Sequence, residues 1–251
     1  MMVLAKATIF AILFIVTTIS AEPVRDIPEF LHICQTRDPQ YETCISNSIN
    51  DLKPYLKVGV PEYNIPSTEP FILKKLSVSP SNSLRIKLSD VNVYDASSFE
   101  VTKIKIDFDK LFLVMDVELP NIFIEGKYDV DGKILLLPIR GSGPMNGNFS
   151  NCISVVKIQA EKYIDENGIV RIRFVDFKMK ISVGKGSVKL DNLFNGDQVL
   201  GNLINSSINN NFDLFMKEIL PMMEMTLSDA FRNISNNIVQ QFSFTQLFPG
   251  L

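Results

Sequence analysis

Residues 197–242 read DQVLGNLINSSINNNFDLFMKEILPMMEMTLSDAFRNISNNIVQQF, and this stretch decides the fold. Its apolar residues recur every three or four positions, at Leu200, Ile204, Ile208, Phe212, Phe215, Met216, Ile219, Met223, Leu227, Ala230, Phe231, Ile234, Ile238 and Phe242. This spacing predicts one very long amphipathic helix. A straight helix of this length would span roughly 69 Å, so other parts of the chain must cover a long apolar stripe.

A proline interrupts the pattern without shifting it. Pro221 removes a backbone hydrogen bond and crowds the preceding turn, so it should kink the helix or split it into two nearly collinear helices. A coiled coil is disfavoured, because the repeat is nearer 3.6 than 3.5 and its flanking positions are Asn and Ser rather than paired charges.

The sequence around the proline, Leu220-Pro-Met-Met-Glu-Met225, is rich in methionine, whose flexible side chain suits variable apolar shapes. We predict that the apolar side of this helix lines a ligand space. The candidate residues are Phe212, Phe215, Ile219, Met222, Met223, Leu227 and Phe231. The alternative is that the same residues simply fill a solid core.

The first 21 residues have the form of a cleaved secretory signal. A lone Lys6 precedes an uncharged run over residues 7–19 and then Ser20-Ala21. We therefore expect residues 1–21 to be a signal peptide and residues 22–251 to form one secreted domain. The net charge of −3 and the lack of a basic cluster disfavour nucleic acid as a partner, and no later segment favours stable membrane insertion. We expect a monomer without a cofactor.

The three cysteines leave one unpaired. Cys34 and Cys44 flank a short turn-rich loop, and in a secreted chain we expect them to form a disulfide that contributes about 2 to 3 kcal/mol. Cys152 lies in a strand-like segment and is expected to be a buried free thiol. A metal site is disfavoured, because His32 is the only histidine.

Between the two ends, the hydrophobic period changes from helical to alternating. Tyr41–Leu56 has the pattern of a short helix, whereas runs from residue 84 onward alternate apolar and polar residues, as in Ile104, Ile106 and Phe108. We predict turns at Asp131-Gly132, at 165–168 and at 184–186, and a strand break at Pro138 and at 141–144. The fold class is therefore α+β, with a strongly curved antiparallel sheet that wraps the long C-terminal helix.

Several segments also resemble one known family. The N-terminal arm contains Ile27-Pro-Glu-Phe-Leu-His-Ile-Cys34, Asp38-Pro39, Cys44-Ile45, Leu52-Lys-Pro-Tyr-Leu56, Gly59-Val-Pro-Glu62 and Ile65-Pro66. Farther along are Gly126-Lys-Tyr128, Leu136-Leu-Pro-Ile139, Gly141, Gly143 and the tail Phe244-Thr-Gln-Leu-Phe-Pro249. Together they resemble the insect takeout and juvenile hormone binding protein family of tubular lipid-binding proteins. The resemblance implies a long helix wrapped by a curved sheet around an apolar tunnel, and the unpaired Cys152 makes it closer to the takeout branch.

Three functions compete at this point. The first is a secreted, non-catalytic carrier of a small hydrophobic ligand, lipid-like or terpenoid, held in an internal apolar tunnel. The second is an enzyme, which is disfavoured because the chain contains neither a Gly-x-Ser-x-Gly nor a His-Glu-x-x-His motif. The third is a signalling or structural partner protein that uses an exposed apolar patch and carries no cargo.

Three Asn-x-Ser sites are candidates for glycosylation, at Asn148, Asn205 and Asn233. Asn205 and Asn233 lie beside the apolar stripe, and further amides continue that polar side of the helix. Buried amides without partners cost about 1 to 3 kcal/mol each. We therefore predict that the sheet covers the helix on one side only and that the Asn-rich side faces solvent.

Overall fold

A computed structural model describes residues 24–81, 84–134 and 136–251, so the predicted signal segment lies outside the described residues. Strands fill the middle of the chain and helices lie at both ends, which confirms the predicted α+β class. The elements are α1 (Tyr41–Val58), β1 (Phe71–Ser81), β2 (Leu84–Tyr94), β3 (Glu100–Asp107), β4 (Phe112–Ile134), β5 (Leu137–Ile164), β6 (Val170–Leu190), α2 (Gln198–Asn210), α3 (Phe212–Val239) and α4 (Phe244–Leu247).

In the described part of the chain, six strands form one antiparallel sheet. The order is β1-β2-β4-β5-β6, and β3 pairs with β4 off this path. Strand β4 is 23 residues long and β5 is 28 residues long. Strands of this length bend, and β5 does so at Asn151, whose φ is 53°. Phe149 and Cys152, on either side of that bend, both lie on the inner face of the sheet.

Three of the predicted turns and breaks are wrong, because glycine in this sheet marks close packing rather than chain reversal. Gly132 lies inside β4 and pairs with Ile139, and the hairpin closes farther on, where Ile134 pairs with Leu137. A Cβ on Gly143 would lie 2.6 Å from the Asp191 carbonyl oxygen. The glycines of 141–144 and 184–186 are therefore parts of continuous strands.

The predicted turn at 165–168 is confirmed. The Asp165 side chain accepts from the backbone N–H groups of Asn167 and Ile169, both at 2.9 Å. The buried Arg171 side chain donates to Asp165 at 2.5 Å, and this hydrogen bond lowers the pKa of the Asp165 carboxyl group. Arg171 also donates to the Gln240 carbonyl at 2.7 Å, so the turn is joined to the end of α3.

The long C-terminal helix is interrupted at Asn211 and not at Pro221. Asn211 has φ −120° and ψ 38°, and its side chain donates to the Ser207 carbonyl at 2.9 Å. A side chain that bonds its own backbone in this way competes with helix continuation. Helix α3 runs through Pro221, whose side faces solvent, where water can satisfy the carbonyl that the proline leaves unpaired.

Helix α3 contacts both β1 and β6, which are the two ends of the strand order. The sheet must therefore curl until both edges meet the same helix. Phe231 makes this visible, because its ring stacks on Phe71 of β1 at 5.6 Å and on Phe177 of β6 at 6.4 Å between ring centroids. The predicted wrapped helix is confirmed.

Amide side chains from the helices satisfy the free edge of β6. Asn236 accepts from the Phe174 N–H at 2.7 Å and donates to the Phe174 carbonyl at 3.0 Å. Asn205 and Asn209 do the same for two further β6 residues, at 2.8 to 2.9 Å, the partners being Leu190 and Val188. We call these three asparagines the amide ladder, since they replace the hydrogen bonds of a neighbouring strand.

We predicted that the Asn-rich side faces solvent, because its amides would be costly to bury without hydrogen-bond partners. The amide ladder corrects this prediction, since the edge of β6 supplies those partners. Asn209 is exposed and Asn205 and Asn236 are partly buried, yet all three side chains bond the sheet. The helix nevertheless has an uncovered side along its length. Exposed residues on this side include Asn210, Lys217, Pro221, Met225, Asp229, Asn233 and Asn237.

Candidate functional site

The apolar interior divides into clusters along the helices. The first cluster surrounds Ile204 and Ile208 of α2, and it also contains Leu84, Tyr128, Val130, Ile134, Ile139, Met145, Val188 and Leu193. The second contains Val156, Ile158 and Phe177 and packs against Phe231. The third contains Ala160, Ile172 and Phe244, next to α4. The first two clusters are joined by the middle of α3.

Three of the seven candidate ligand residues pack against these clusters, and a fourth, Phe212, lies beside the first. Phe212 is buried, and its ring centroid lies 6.2 Å from that of Phe149. Phe215 and Ile219 pack against the first cluster, and Phe231 packs against the second. These residues therefore lie toward the two ends of α3, and they leave the middle of the helix to the other three candidates.

The remaining three candidates, Met222, Met223 and Leu227, lie between the first two clusters. The rise from Ile219 to Phe231 is about 18 Å along the helix axis. Met222 is buried, whereas Met223 and Leu227 are only partly buried. We call this part of the interior the middle segment, and it contains the unbranched side chains that the sequence singled out.

The sheet residues opposite the middle segment follow from hydrogen bonds and register. The Glu224 carboxylate of α3 accepts from the Ile181 N–H at 2.8 Å. Ile181 of β6 pairs with Ser154 of β5, which pairs in turn with Val117 of β4. Val117 and Ile181 are partly buried, and Val117 also packs against the second cluster, so this level of the sheet adjoins that cluster.

The rim of the middle segment carries a buried carboxylate. Glu224 is 8% exposed, and besides the Ile181 N–H its carboxylate pairs with Lys180 at 2.7 Å. Ser228, one turn later, accepts from the Met179 N–H at 3.0 Å and donates to the Glu224 carbonyl at 2.6 Å. The side chains of Glu224 and Ser228 thus face the edge of β6. The neighbouring apolar side of α3 faces the interior.

Sequence reasoning missed Ser154. Its side chain is 7% exposed, and among the described residues its Oγ has no hydrogen-bond partner. It alternates with its neighbours so that it shares the inner face of β5 with the buried Cys152 and Val156. The alternation along β5 could have identified it as an inward polar residue, had the strand bend at Asn151 been anticipated.

Cys152 is buried as predicted, and it is the free cysteine of the described chain. Burial raises the pKa of its thiol to about 11. The thiol is therefore protonated at neutral pH and is a poor nucleophile. It lies two residues before Ser154, on the same inner face of β5.

The predicted disulfide is present between Cys34 and Cys44, with a Cα–Cα distance of 6.0 Å. The His32 side chain lies close to both sulfur atoms. Because the two sulfurs are bonded to each other, neither is available as a thiolate metal ligand. Phe30 stacks on Tyr55 of α1 with 4.5 Å between ring centroids. The disulfide and this stack together hold the N-terminal arm against α1.

Two open clefts lie away from the middle segment. One of about 350 Å³ is bordered by Asn148, Phe149 and Lys185, and one of about 280 Å³ by His32, Asn47 and Asp51. Neither is lined by a residue of α3. The second cleft has a polar lining, and the first mixes polar residues with Ile122, Phe123 and Phe149. The apolar interior against α3 is therefore the stronger candidate for an apolar ligand.

The curled sheet, the helix between its edges and the apolar interior define an α+β protein of the helix-wrapped type. Among the described helices, none is long and apolar enough to cross a membrane. The chain belongs to the haemolymph juvenile hormone binding protein family, whose model matches residues 10–249. The resemblance found in the N-terminal arm, the middle and the tail is thereby confirmed.

Individual relatives are distant but cover most of the chain. The circadian clock-controlled protein daywake of Drosophila melanogaster is 25% identical over 231 residues, 88% of each chain. A putative beta-carotene-binding protein of Schistocerca gregaria is 20% identical over 213 residues, covering 84% of this chain and 85% of the relative. The crystal structure of Epiphyas postvittana Takeout 1 superposes with a TM-score of 0.73 at 21% identity, covering 86% of this chain and 99% of that one. That likeness shows the shared fold.

Proposed function

We propose that this protein is a secreted carrier that holds a small hydrophobic ligand, lipid-like or terpenoid, between α3 and the inner face of the sheet. The observation that carries the proposal is the middle segment. There Met222, Met223 and Leu227 lie between the first two clusters, at the level of the partly buried Val117 and Ile181. Family membership supports a binding role, and the name of the Schistocerca relative refers to a long terpenoid.

Burial alone can supply the affinity. Removing roughly 300 Å² of apolar ligand surface from water yields about 7 to 8 kcal/mol at 25 cal/mol per Å². Part of this is lost to the immobilisation of the ligand. A charged contact or a chemical step is therefore not required, and we propose that the protein is non-catalytic.

Secretion is part of the proposal. It rests on the signal-like segment at 1–21 and on the disulfide between Cys34 and Cys44, which is typical of oxidising compartments. Exposed Asn148 and Asn233 are the proposed glycan positions. Asn205 is less suitable, because its Nδ2 already donates to the carbonyls of Leu190 and Gly201.

An exposed apolar surface supports a second candidate, a partner protein without cargo. Leu136 at the β4–β5 hairpin is 93% exposed, and Val199 and Leu203 of α2 are also exposed. Such residues favour contact with another apolar surface. The two candidates differ in cargo: organic extraction of the purified protein, followed by mass spectrometry, should recover a hydrophobic molecule from a carrier and none from a partner protein.

A pair of variants tests the position of the ligand. We expect Met223→Gln to weaken uptake of a hydrophobic fluorescent probe about tenfold, since it places an amide in the apolar interior, where burial costs about 1 to 3 kcal/mol. Lys217→Gln, on the exposed side of the same helix, should leave uptake unchanged. Equal effects of the two substitutions in folded protein would rule out the middle segment as the binding site.

A further inference from the structure

We propose that Ser154 binds a neutral oxygen atom in the interior of the ligand, so that the preferred cargo is an oxygenated long-chain molecule rather than a plain hydrocarbon. This inference rests on the proposed carrier function. Its basis is the Ser154 hydroxyl, which is buried in the middle segment and, among the described residues, has no hydrogen-bond partner.

The other buried serines of the described chain differ in this respect. Ser48 Oγ donates to the His32 carbonyl at 2.8 Å, and Ser228 Oγ both donates and accepts. A buried hydroxyl is costly when it is unpaired, so buried polar groups nearly always have partners. Ser154 is therefore suited to a partner that arrives with the ligand.

The position of Ser154 indicates where along the ligand that partner lies. Through Ile181, Ser154 is level with Glu224 of α3. The helix continues for about 18 Å before Glu224 and about 22 Å after it. A ligand aligned with α3 would therefore have apolar portions on both sides of the contact, and its oxygen would lie within the chain rather than at its end.

The contact also limits the chemistry of the oxygen. One hydroxyl group cannot solvate a carboxylate in an apolar interior, where an unpaired charge is strongly disfavoured. The Glu224 carboxylate at the same level already holds Lys180 and would repel a second anion. A ketone, ester or alcohol oxygen fits, because a hydroxyl group can donate to the first two and can donate to or accept from the third.

The test uses two neutral probes of equal chain length, dioctyl ketone and heptadecane, which compete with a bound fluorescent dye. In the wild-type protein and in Ser154→Ala, the measured quantity is the ratio of the two affinities. We expect the substitution to change this ratio about fivefold in favour of heptadecane, the equivalent of about 1 kcal/mol. Ser154→Thr, which keeps the hydroxyl, should retain the wild-type ratio.

Cys152→Ala is the matched control, because it removes a side chain of similar size from the same face of β5. It should change both affinities by the same factor. An unchanged ratio in Ser154→Ala, while both probes still bind, would overturn the Ser154 contact and leave the carrier intact. Failure of both probes and the dye to bind the wild-type protein would instead overturn the carrier.

A vibrational measurement gives an independent readout. The carbonyl stretch of isotopically labelled dioctyl ketone should lie at lower frequency when the ketone is bound to the wild-type protein than when it is bound to Ser154→Ala, because hydrogen bonding weakens the C=O bond. Methyl pentadecyl ketone, whose oxygen is near one end, should show a smaller difference. Identical frequencies of dioctyl ketone in the two proteins would contradict the proposed contact.

Discussion

Replacing Asn236 by Ala tests whether the amide ladder stabilises the fold. The substitution removes two hydrogen bonds, from the Phe174 N–H at 2.7 Å and to the Phe174 carbonyl at 3.0 Å. Each contributes about 1 kcal/mol net. Alanine recovers about 0.5 kcal/mol through its higher helix propensity. We expect the free energy of unfolding to fall by about 1.5 kcal/mol.

The neighbouring Asn237 provides the control, since its side chain is exposed on the same helix. Asn237→Ala should be neutral or stabilising by about 0.5 kcal/mol. Urea denaturation of the disulfide-intact protein measures both differences, and hydrogen exchange should show faster exchange of the Phe174 amide in Asn236→Ala alone. If the two variants have the same stability and the Phe174 amide stays equally protected, the ladder contributes nothing and the reasoning is refuted.

Cys152 should resist thiol reagents at about pH 8 in the folded protein, because its raised pKa keeps the thiol protonated, and should react once the protein is denatured; fast labelling of folded protein would argue against burial. Glycopeptide mapping of secreted protein should find glycans at Asn148 and Asn233 but not at Asn205. A glycan at Asn205 would mean that this side chain does not keep its hydrogen bonds to β6 in the secreted protein. Asp165→Asn should destabilise the protein at about pH 7, where the lowered pKa keeps the wild-type carboxyl ionised and bonded to its arginine. This difference should disappear as the pH falls through that lowered pKa, and a pH-independent difference would exclude the ion pair as its cause.

The sequence was informative wherever one periodicity ran uninterrupted. The apolar spacing from Leu200 to Phe242 predicted the helices that the sheet encloses, and the alternation around Ile104 predicted strands. Local signals were less reliable, because their meaning depends on distant parts of the chain. A glycine such as Gly186 looks like a turn residue in sequence, yet a Cβ there would lie 2.5 Å from the ring of Phe212.

The candidate site was only partly accessible from sequence for the same reason. The helical stripe and the methionine-rich sequence identified Met223 and Met222. They could not separate these residues from Phe212 and Phe231, whose rings pack against rings on remote strands. Ser154 depends on the register of three strands. The asparagines were the clearest misreading, since polar residues beside an apolar stripe normally face water, and only the curl of the sheet brings β6 within their reach.

The amide ladder also has a consequence for association between molecules. A long edge strand with free N–H and C=O groups is a template on which a second chain can add a strand, and this is a common route to aggregation. Asn205, Asn209 and Asn236 occupy that row on β6 with side chains from the same chain. A variant that weakens the contact between the helices and β6 therefore exposes the backbone N–H and C=O groups of this edge strand. We expect such a variant to self-associate as well as to be less stable.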